Sequence, residues 1–244
     1  MRWAWRGRVP YAEALAAQRA HRDALVEGRG EEVVWLLEHD PVITTGRRGV
    51  DDLDPERILG AGYALEAAER GGLATCHEPG QLVGYVLIDA REIGVRRTVD
   101  AIETAIAAWL AAQGVEAGPR EGYPGVWIGR DKVCAVGLHF RAGFTLHGFA
   151  LNLVNDLTGF GLITPCGIVD GGVTALKRLV PSAPSPEAAA PAVGEIVVQH
   201  LLDARRGPVN RWGPKARSSV VEHRSDTAGV AGSSPAVPTI APHR

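Results

Sequence analysis

The 244-residue sequence predicts a single α/β or α+β domain in which helices cover a central mixed sheet. Two observations predict this class. Short apolar runs bounded by turn residues, which are typical of buried strands, occur along the first 150 residues. Longer alanine-rich segments, one with apolar residues at clear helical spacing, separate and follow them. Strands mixed with helices in this order fit one sheet covered by helices.

Three segments are predicted to be helices. Residues 11–27 are rich in alanine and are followed by Gly28, which can end a helix. Residues 98–113 carry apolar side chains every three or four positions and stop at Gly114. Residues 186–202 form the last predicted helix.

Six apolar runs are predicted to be strands. The first is bounded by charged residues, and the second and third flank a turn at Pro79-Gly80. The last three follow one another with tight connections. Between the first two, the run that begins at His39-Asp40-Pro41 and continues to Gly49 is predicted to be a loop. The six runs are residues 33–37, 73–76, 82–88, 126–128, 133–140 and 144–153.

Composition excludes several classes of protein. The formal net charge of −2 and a pI near 6.5 give no basic surface for nucleic acid. No stretch approaches the roughly 20 apolar residues that a membrane span needs. The N-terminus lacks the apolar run of a secretory signal, and three widely spaced cysteines do not suit a disulfide framework or a cysteine-based zinc site. We therefore expect a cytoplasmic protein that binds neither nucleic acid nor membrane.

The composition changes from about residue 207. Ser, Pro, Gly, Ala and Arg dominate and no apolar period remains, so residues 1–206 are predicted to be the catalytic domain and 207–244 a disordered tail. Residues 218–239 resemble the conceptual translation of a tRNA gene. We interpret the tail as a reading frame that continues into a neighbouring tRNA gene, the alternative being a flexible tail with a partner of its own.

Cys166 and Lys132 are the first candidates for chemistry. The chain has only three lysines, and a lysine amine can accept a proton whereas a guanidinium at physiological pH cannot. A thiol beside an ammonium ionises more easily, and the thiolate is the reactive form. Pro165 and Gly167 would present the thiol at a turn with close backbone approach. Taken alone, each residue is also compatible with a purely structural role.

Two histidines lie in glycine-containing runs, His77 after Gly71-Gly72 and His147 before Gly148. On spacing alone, structural and functional roles are equally open for both. No histidine pair has a metal-binding spacing, and the glycine-rich loops match neither a phosphate-binding loop nor a dinucleotide fingerprint. We therefore expect no metal and no cofactor.

Five sequence blocks together resemble the octanoyltransferases of lipoate biosynthesis. Their order and spacing agree with that family, and the resemblance covers roughly residues 5–205. The combination is highly specific, although no single block is. The blocks are Arg70-Gly71-Gly72-(x)2-Thr75-x-His77-x-Pro79-Gly80-Gln81-Leu82-Val83-Gly84-Tyr85, Gly125-Val126-Trp127-Ile128, Lys132-Val133-x-Ala135-Val136-Gly137, Thr145-x-His147-Gly148-Phe149-Ala150-Leu151-Asn152 and Pro165-Cys166-Gly167-Ile168.

The resemblance implies a fold similar to the lipoate/biotin-protein ligase catalytic domain and transfer of an octanoyl group from octanoyl-acyl carrier protein to a lysine of lipoyl domains. The acceptors would be 2-oxoacid dehydrogenase complexes and the glycine cleavage H protein, and the enzyme would be a monomer. It places the acyl-accepting nucleophile at Cys166 and the lysine that lowers the pKa of this thiol at Lys132. The implied substrate-binding residues are Arg70, Gly71, Gly72, Leu73, Ala74, Thr75, Cys76, His77, Ala135, Val136, Gly137, His147, Gly148, Phe149 and Ala150.

Two positions depart from the family pattern. Cys76 stands where the family usually has an aromatic residue, and Glu78 stands where it usually has glycine. A carboxylate beside the predicted acyl-binding loop is expected to alter chain selectivity or reduce the rate. Three alternatives stay open: an ATP-dependent lipoate or biotin ligase, an inactive module that binds lipoyl domains or carrier protein, and a cysteine hydrolase that releases free octanoate.

Overall fold

The computed structural model describes residues 1–47, 53–163 and 171–207. Two predictions therefore lie outside the described residues: the placement of Cys166 and the character of the tail beyond residue 207. The described chain contains four α-helices: α1 (Tyr11–Val26), α2 (Pro55–Gly60), α3 (Val95–Ala112) and α4 (Pro186–Arg206). Its strands are β1 (Arg2–Arg8), β2 (Val33–Glu38), β3 (Val42–Thr45), β4 (Ala64–Ala67), β5 (Thr75–His77), β6 (Gln81–Leu87), β7 (Gly118–Arg120), β8 (Tyr123–Ile128), β9 (Asp131–Arg141), β10 (Phe144–Asn152) and β11 (Gly172–Val173).

A mixed sheet forms the centre of the molecule and confirms the predicted fold class. Within the described ranges it has eight strands, seven of them in the order β1-β2-β6-β10-β9-β8-β7, with β11 added beside β9. The pairs β1–β2 and β9–β11 are parallel, whereas the other neighbours are antiparallel. Tight connections join β8, β9 and β10, as their sequence predicts.

Strands β2 and β6 of the large sheet are buried on both faces. Because side chains alternate along a strand, each strand sends one set of residues to each side of the sheet. Val34 and Leu36 of β2 pack into the core beneath α3 and α4, while Trp35 and Leu37 join the cluster that contains Ala14 of α1. The continuous apolar sequence of these strands follows from this double burial.

Helices α3 and α4 pack against each other on one face of the sheet. In α3, Ile102, Ile106 and Leu110 are fully buried, and full burial of one such side chain is worth about 1.5–3 kcal/mol. Ser185 caps the start of α4, where its hydroxyl accepts a hydrogen bond from the Ala188 N–H at 3.3 Å. Amphipathic spacing and end signals thus produced helices close to their predicted bounds.

A second, three-stranded sheet, ordered β4-β3-β5, lies beside the large one and was not predicted. The sequence predicts a loop at the residues of β3, because turn residues precede them and the strand has only four residues. A small apolar cluster, called here the satellite core, packs beneath this sheet. Its buried members are Ile43, Ile58, Tyr63, Cys76, Leu157, Phe160 and Ala175, with Leu53, Leu65, Leu162, Ile163 and Val173 packed against them.

Candidate active site

A cavity of about 260 Å³ lies where β9 and β10 carry only small residues on one face. Gly137 pairs with Gly148 across these strands, and Ala135 pairs with Ala150. Cross-strand partners point to the same side of a sheet, so at these two pairs the face carries nothing larger than a methyl group. The sequence of small residues therefore creates the space. Its volume lies just below the roughly 300–1,000 Å³ of typical small-molecule sites.

Strand β6 extends the same face with larger side chains. Val83 pairs with Ala150 and Tyr85 with Gly148, and both line the cavity. The cavity is therefore bounded on this side by an apolar residue and by an aromatic ring with one hydroxyl. Exposed lining residues at the other side, Arg96 of α3 and Gly122 before β8, mark an opening to solvent.

Arg70 shapes the loop that covers the cavity. Its guanidinium donates hydrogen bonds to the backbone oxygens of Leu73 at 2.7 Å and Gly71 at 3.2 Å, within its own loop. It also donates to the backbone oxygen and the hydroxyl of Thr44 in β3, at 2.7 and 2.8 Å. The guanidinium is thus committed largely to protein acceptors. Its contribution to binding is to hold the Gly71-Gly72 turn against the small sheet.

A β-bulge aims Lys132 into the cavity. Along β8 and β9 the register shifts between the pairs Val126–Cys134 and Trp127–Lys132, which leaves Val133 as the extra residue. Val133 and Cys134 both pack into the core, so the alternation of side chains reverses at this point. Lys132 therefore lines the cavity together with Ala135 and Gly137.

The surroundings of Lys132 are aromatic and acidic. Its ammonium lies 4.9 Å from the centre of the Trp127 ring, and the residue is only 5% exposed. A Cβ at Gly125 would meet the Cδ and Cε of Lys132 at 3.4 Å, so the lysine stem runs directly past this glycine. The Gly125 N–H donates to the Glu103 carboxylate at 2.7 Å. Burial raises the pKa of Glu103 to about 7, and Lys132 counteracts this rise.

The chain on the C-terminal side of Cys166 runs beside Lys132. Val173 of β11 pairs with Lys132, and the Thr174 N–H donates to the Lys132 backbone oxygen at 3.0 Å. On the other side of Cys166, Ile163 packs against the same satellite core as Val173. Both described ends of the stretch that contains Cys166 are therefore fixed near one cluster.

Tyrosine and histidine side chains gather at the β5–β6 side of the cavity. The Tyr85 hydroxyl lies 2.6 Å from Nε2 of His39, whose Nδ1 lies 2.6 Å from the Val9 oxygen. Since the carbonyl can only accept, Nδ1 carries the proton and the tyrosine donates to Nε2. Burial lowers the pKa of His39 to about 4 and raises that of Tyr85, so both are neutral near pH 7.

His77 belongs to a second chain of hydrogen bonds. Its Nδ1 lies 2.8 Å from Gln81 Oε1, and the Gln81 amide donates to Asn152 Oδ1 at 2.9 Å. Burial lowers the pKa of both His77 and His147 to about 3, so neither carries a charge at neutral pH. His147 has φ +62°, which is uncommon without glycine, and its N–H donates to Gln18 Oε1 at 2.8 Å.

Some polar atoms of these side chains lack a hydrogen-bond partner among the residues that the structure describes. Within the described ranges, the Tyr11 hydroxyl, Gln18 Nε2 and His147 Nε2 are buried and have no hydrogen-bond partner. Tyr11 and His147 also line the cavity. Buried polar groups rarely stay unpaired, so water or a bound molecule is expected to satisfy them.

The structure brings most of the predicted binding residues to this one cavity. Two do not line it, Ala74 and Cys76. Along β5 side chains alternate, so that Thr75 and His77 face the cavity whereas Cys76 faces the satellite core. The predicted residues that line the cavity are Arg70, Gly71, Gly72, Leu73, Thr75, His77, Lys132, Ala135, Val136, Gly137, His147, Gly148, Phe149 and Ala150.

The two cysteines that the structure describes are poor nucleophiles. Cys76 and Cys134 are fully buried. Burial raises the pKa of both thiols, and the nearby Glu78 raises that of Cys76 further. A buried thiol held in its protonated form reacts slowly.

Sequence reasoning missed several residues around the cavity. Tyr11 comes from α1, His39 from the connection between β2 and β3, and Tyr85 from β6, where it ends one of the sequence blocks without a role having been predicted for it. Glu103 is the one with a readable signal, because a carboxylate on the apolar face of α3 needs a buried partner. Gln18 on α1 offers a similar, weaker signal.

The described residues form neither a metal-binding cluster nor a membrane-spanning helix. The described part of the chain contains no group of three His, Cys, Asp or Glu side chains placed to hold a metal ion. None of the helices in the described ranges combines the length and the apolar character needed to span a membrane.

The fold belongs to the class of lipoyl ligase catalytic domains. A solved lipoate-protein ligase A bound with ATP superposes with a TM-score of 0.63, at 16% sequence identity, over 84% of this chain and 85% of that one. Residues 10–198 match the family model of the lipoyl protein ligase A/B catalytic domain. At this low identity the superposition shows the fold alone.

Sequence relatives give the narrower assignment. An octanoyltransferase from Novosphingobium aromaticivorans is 44% identical over 178 residues, which cover 70% of this chain and 78% of the relative. Another, from Klebsiella pneumoniae, is 38% identical over 212 residues, covering 86% and 94%. The chain belongs to the octanoyltransferase family, and it is an acyltransferase.

Proposed function

We propose that the protein transfers an octanoyl group in two steps through a thioester on Cys166. The Cys166 thiolate attacks the carbonyl carbon of the octanoyl thioester on an acyl carrier protein. A new C–S bond forms, the old one breaks, and the carrier's thiolate leaves and takes up a proton. A lysine amine of a lipoyl domain then attacks the octanoyl–Cys166 carbonyl, which gives an amide and regenerates the cysteine thiol.

The observation that carries this proposal is the placement of Lys132. The bulge in β9 turns its ammonium towards a cavity, and the strand that follows the Cys166 stretch pairs with it. Cys166 is three residues from Ile163 and seven from Val173, spans of at most about 10 and 25 Å. These chain lengths permit the thiol to come within reach of the lysine. A positive charge near the thiol favours its thiolate form.

The cavity suits a linear acyl chain. Lys132 lies five residues along β9 from Gly137, or roughly 17 Å at about 3.3 Å per residue. With C–C bonds of about 1.5 Å, an extended eight-carbon chain is about 9 Å long and fits this distance. Burying its seven carbons beyond the carbonyl is worth roughly 6 kcal/mol, at about 0.8 kcal/mol each. Small residues between Lys132 and Gly137 leave room for the acyl chain.

The second step needs a base for the incoming amine. Lys132 in its neutral form can accept that proton, and backbone N–H groups near Gly137 are candidates to stabilise the oxyanion. Thioester exchange is close to isoenergetic and amide formation is downhill, so the two steps require no ATP.

The biological setting forms part of the same proposal. The acceptors are lipoyl domains of 2-oxoacid dehydrogenase complexes and the glycine cleavage H protein. The enzyme acts as a monomer in the cytoplasm, where unpaired cysteines stay reduced. The catalytic unit comprises residues 1–206.

Mass spectrometry after mixing with octanoyl-acyl carrier protein tests the mechanism. Without ATP, the wild-type protein should gain one octanoyl group on the peptide that contains Cys166. Cys166→Ser should lose this adduct, and Lys132→Ala should form it at least a hundredfold more slowly. Cys134→Ala is the matched control, because that thiol lies in the core and its loss should leave the adduct intact.

Three outcomes would contradict the mechanism. An adduct that survives in Cys166→Ser would remove the nucleophile from the proposal. Transfer that depends on ATP and free octanoate would assign a ligase reaction. Free octanoate as the only product would assign a hydrolase.

A further inference from the structure

The Glu78 carboxylate is buried and faces away from the acyl cavity. Its Oε1 accepts hydrogen bonds from the Leu157 N–H at 2.6 Å and the Asn155 side-chain amide at 3.0 Å. Its Oε2 accepts from the Tyr63 hydroxyl at 2.7 Å and the Gly159 N–H at 3.2 Å. Glu78 is absent from the cavity lining. One carboxylate thus holds four N–H and O–H donors, three of which belong to the segment that follows β10, and the Cys76 thiol is a weaker fifth donor at 3.9 Å from Oε2.

That segment depends on Glu78 for its conformation. Leu157 has φ +66°, a left-handed conformation that non-glycine residues seldom adopt, and its N–H points to the carboxylate. The backbone N–H groups of Leu157 and Gly159, two residues apart, are therefore held by one carboxylate. Charge-assisted hydrogen bonds to buried backbone groups are among the stronger polar contacts in proteins.

Cys76 complements this arrangement by being small. A Cβ built on Gly159 would lie 2.3 Å from the Cys76 sulfur and 2.5 Å from the Tyr63 ring. The sulfur and the ring thus pack directly against Gly159, which Glu78 also holds. An aromatic residue at position 76, usual in the family, could not fit here without displacing the segment. The departures at positions 76 and 78 are two parts of one packing solution with Tyr63.

The same packing fixes the ends of the Cys166 stretch. Tyr63, Cys76 and Leu157 are members of the satellite core, and Ile163 and Val173 pack against that core. The stretch that carries Cys166 starts directly after Ile163 and ends before Val173. The segment around Leu157 and both described ends of the Cys166 stretch therefore share one apolar cluster.

We propose that Glu78 is a positioning residue for the acyl transfer: its carboxylate fixes residues 155–159 and, through the satellite core, the chain that presents Cys166. This inference rests on the proposed function of Cys166. It opposes the simple expectation that a carboxylate in place of the family's glycine weakens the enzyme. Glu78 acts through the segment it holds and touches no reacting atom.

Replacing Glu78 by glycine, the residue usual in the family, distinguishes a positioning role of the carboxylate from the expectation that it weakens the enzyme. Glu78→Gly leaves the four donors without their acceptor, so the octanoylation rate of Cys166 at saturating donor should fall at least tenfold. The donor KM should change less than twofold, since the cavity lining is intact. Glu78→Gln keeps one acceptor oxygen and should recover part of the rate.

A double-mutant cycle tests the network itself. Tyr63→Phe removes one bond to the carboxylate and should slow acylation severalfold. In the Glu78→Gly background the same change should cost nothing further, because the hydroxyl acts through Glu78. Asp156→Asn is the control: it lies in the same segment, but its carboxylate bonds to Lys177 at the surface.

Folding and reactivity are measured on the same samples. Circular dichroism identifies any variant that fails to fold, and Tyr63→Phe then carries the test alone. The alkylation rate of Cys166 by iodoacetamide across pH reports presentation of the thiol and should fall in Glu78→Gly. An equal or faster acylation rate in folded Glu78→Gly would overturn this inference, whereas absence of an adduct in the wild type would instead overturn the proposed function.

Discussion

The two ends of the cavity contain buried ionisable side chains of opposite behaviour. At the β5–β6 end, His39, His77 and His147 are held neutral, with pKa values lowered by burial to about 4, 3 and 3. At the Lys132 end, burial raises the pKa of Glu103 to about 7, so this carboxyl titrates near neutral pH. One end keeps fixed, uncharged hydrogen bonds, while the other can change its charge.

This difference suggests that one end of the cavity recognises the shape of the substrate and that the other end carries out the reaction. Neutral groups, most of them hydrogen-bonded to the protein, make a rigid wall, which suits the recognition of an acyl chain without charge. A charge that responds to pH beside Lys132 suits a site in which protons move. The predictions below act on one end or the other and are ordered by the size of the expected effect.

The largest effect is expected from a change of Lys132 that keeps its charge. Lys132→Arg retains a cation beside the thiol but removes a group that can take up a proton. Transfer of octanoyl from Cys166 to a lipoyl-domain lysine should fall at least a hundredfold, and formation of the Cys166 thioester should fall less. Single-turnover measurements resolve the two steps.

Lys177→Arg controls for the exchange of lysine for arginine. Lys177 pairs with Asp156 at the surface, outside the cavity, and neither step should change. Equal losses in both steps for Lys132→Arg would show that Lys132 contributes no proton transfer.

Stability against pH should distinguish the two ends by sign. A histidine whose pKa is lowered on folding stabilises the protein above pH 6.5, and this stability is lost as pH falls towards 3 to 4. A carboxyl whose pKa is raised contributes below pH 4.5 and loses that contribution as pH rises through about 7. Between pH 4.5 and 6.5, each group changes the free energy of unfolding by about 1.4 kcal/mol per pH unit, in opposite directions.

Urea unfolding of two variants at several pH values measures these slopes. His77→Asn should flatten the rise in stability between pH 4.5 and 6.5, and Glu103→Gln should steepen it. High salt screens exposed charges more than buried ones and serves as the control. Slopes that shift in the same direction for both variants would refute the contrast between the ends.

The fold was largely predictable because its central elements carry strong patterns. β2 and β6 read as continuous apolar runs, and α3 has a clear helical period. β1 was missed because arginine and tryptophan alternate along it, as expected for an edge strand with a half-exposed face. β3 and β4 are four-residue strands whose partners lie elsewhere in the chain, and local sequence does not reveal such pairing.

The sequence blocks that form the candidate site could be predicted, but their arrangement in three dimensions could not. An unbroken β9 would have put Lys132 on the same face as Cys134, and only the bulge against β8 reverses this. The contacts of Glu78 depend on Tyr63 and on the backbone around Leu157, which are distant in sequence. The expectation for Glu78 placed its charge beside the acyl loop, whereas its side chain turns to the satellite core.

A smaller effect is expected from narrowing the acyl cavity. A Cβ at Gly137 would meet the Arg70 Cδ at 3.6 Å and the Gly71 oxygen at 3.7 Å, which are ordinary contacts. Gly137→Ala should therefore fold normally and place a methyl group in the path of the chain. The preference for octanoyl over hexanoyl should fall about fivefold, or about 1 kcal/mol. Gly60→Ala adds a methyl group in open space and is the control.

No effect is expected from removing residues 207–244. Their composition lacks the apolar period that would let them pack, and part of the tail resembles a translated tRNA gene. Every residue assigned to the cavity and to the satellite core precedes residue 207. Rates of both acyl-transfer steps should therefore match those of the full chain in single-turnover assays. A loss of either step would give the tail a function and contradict its interpretation as a read-through extension.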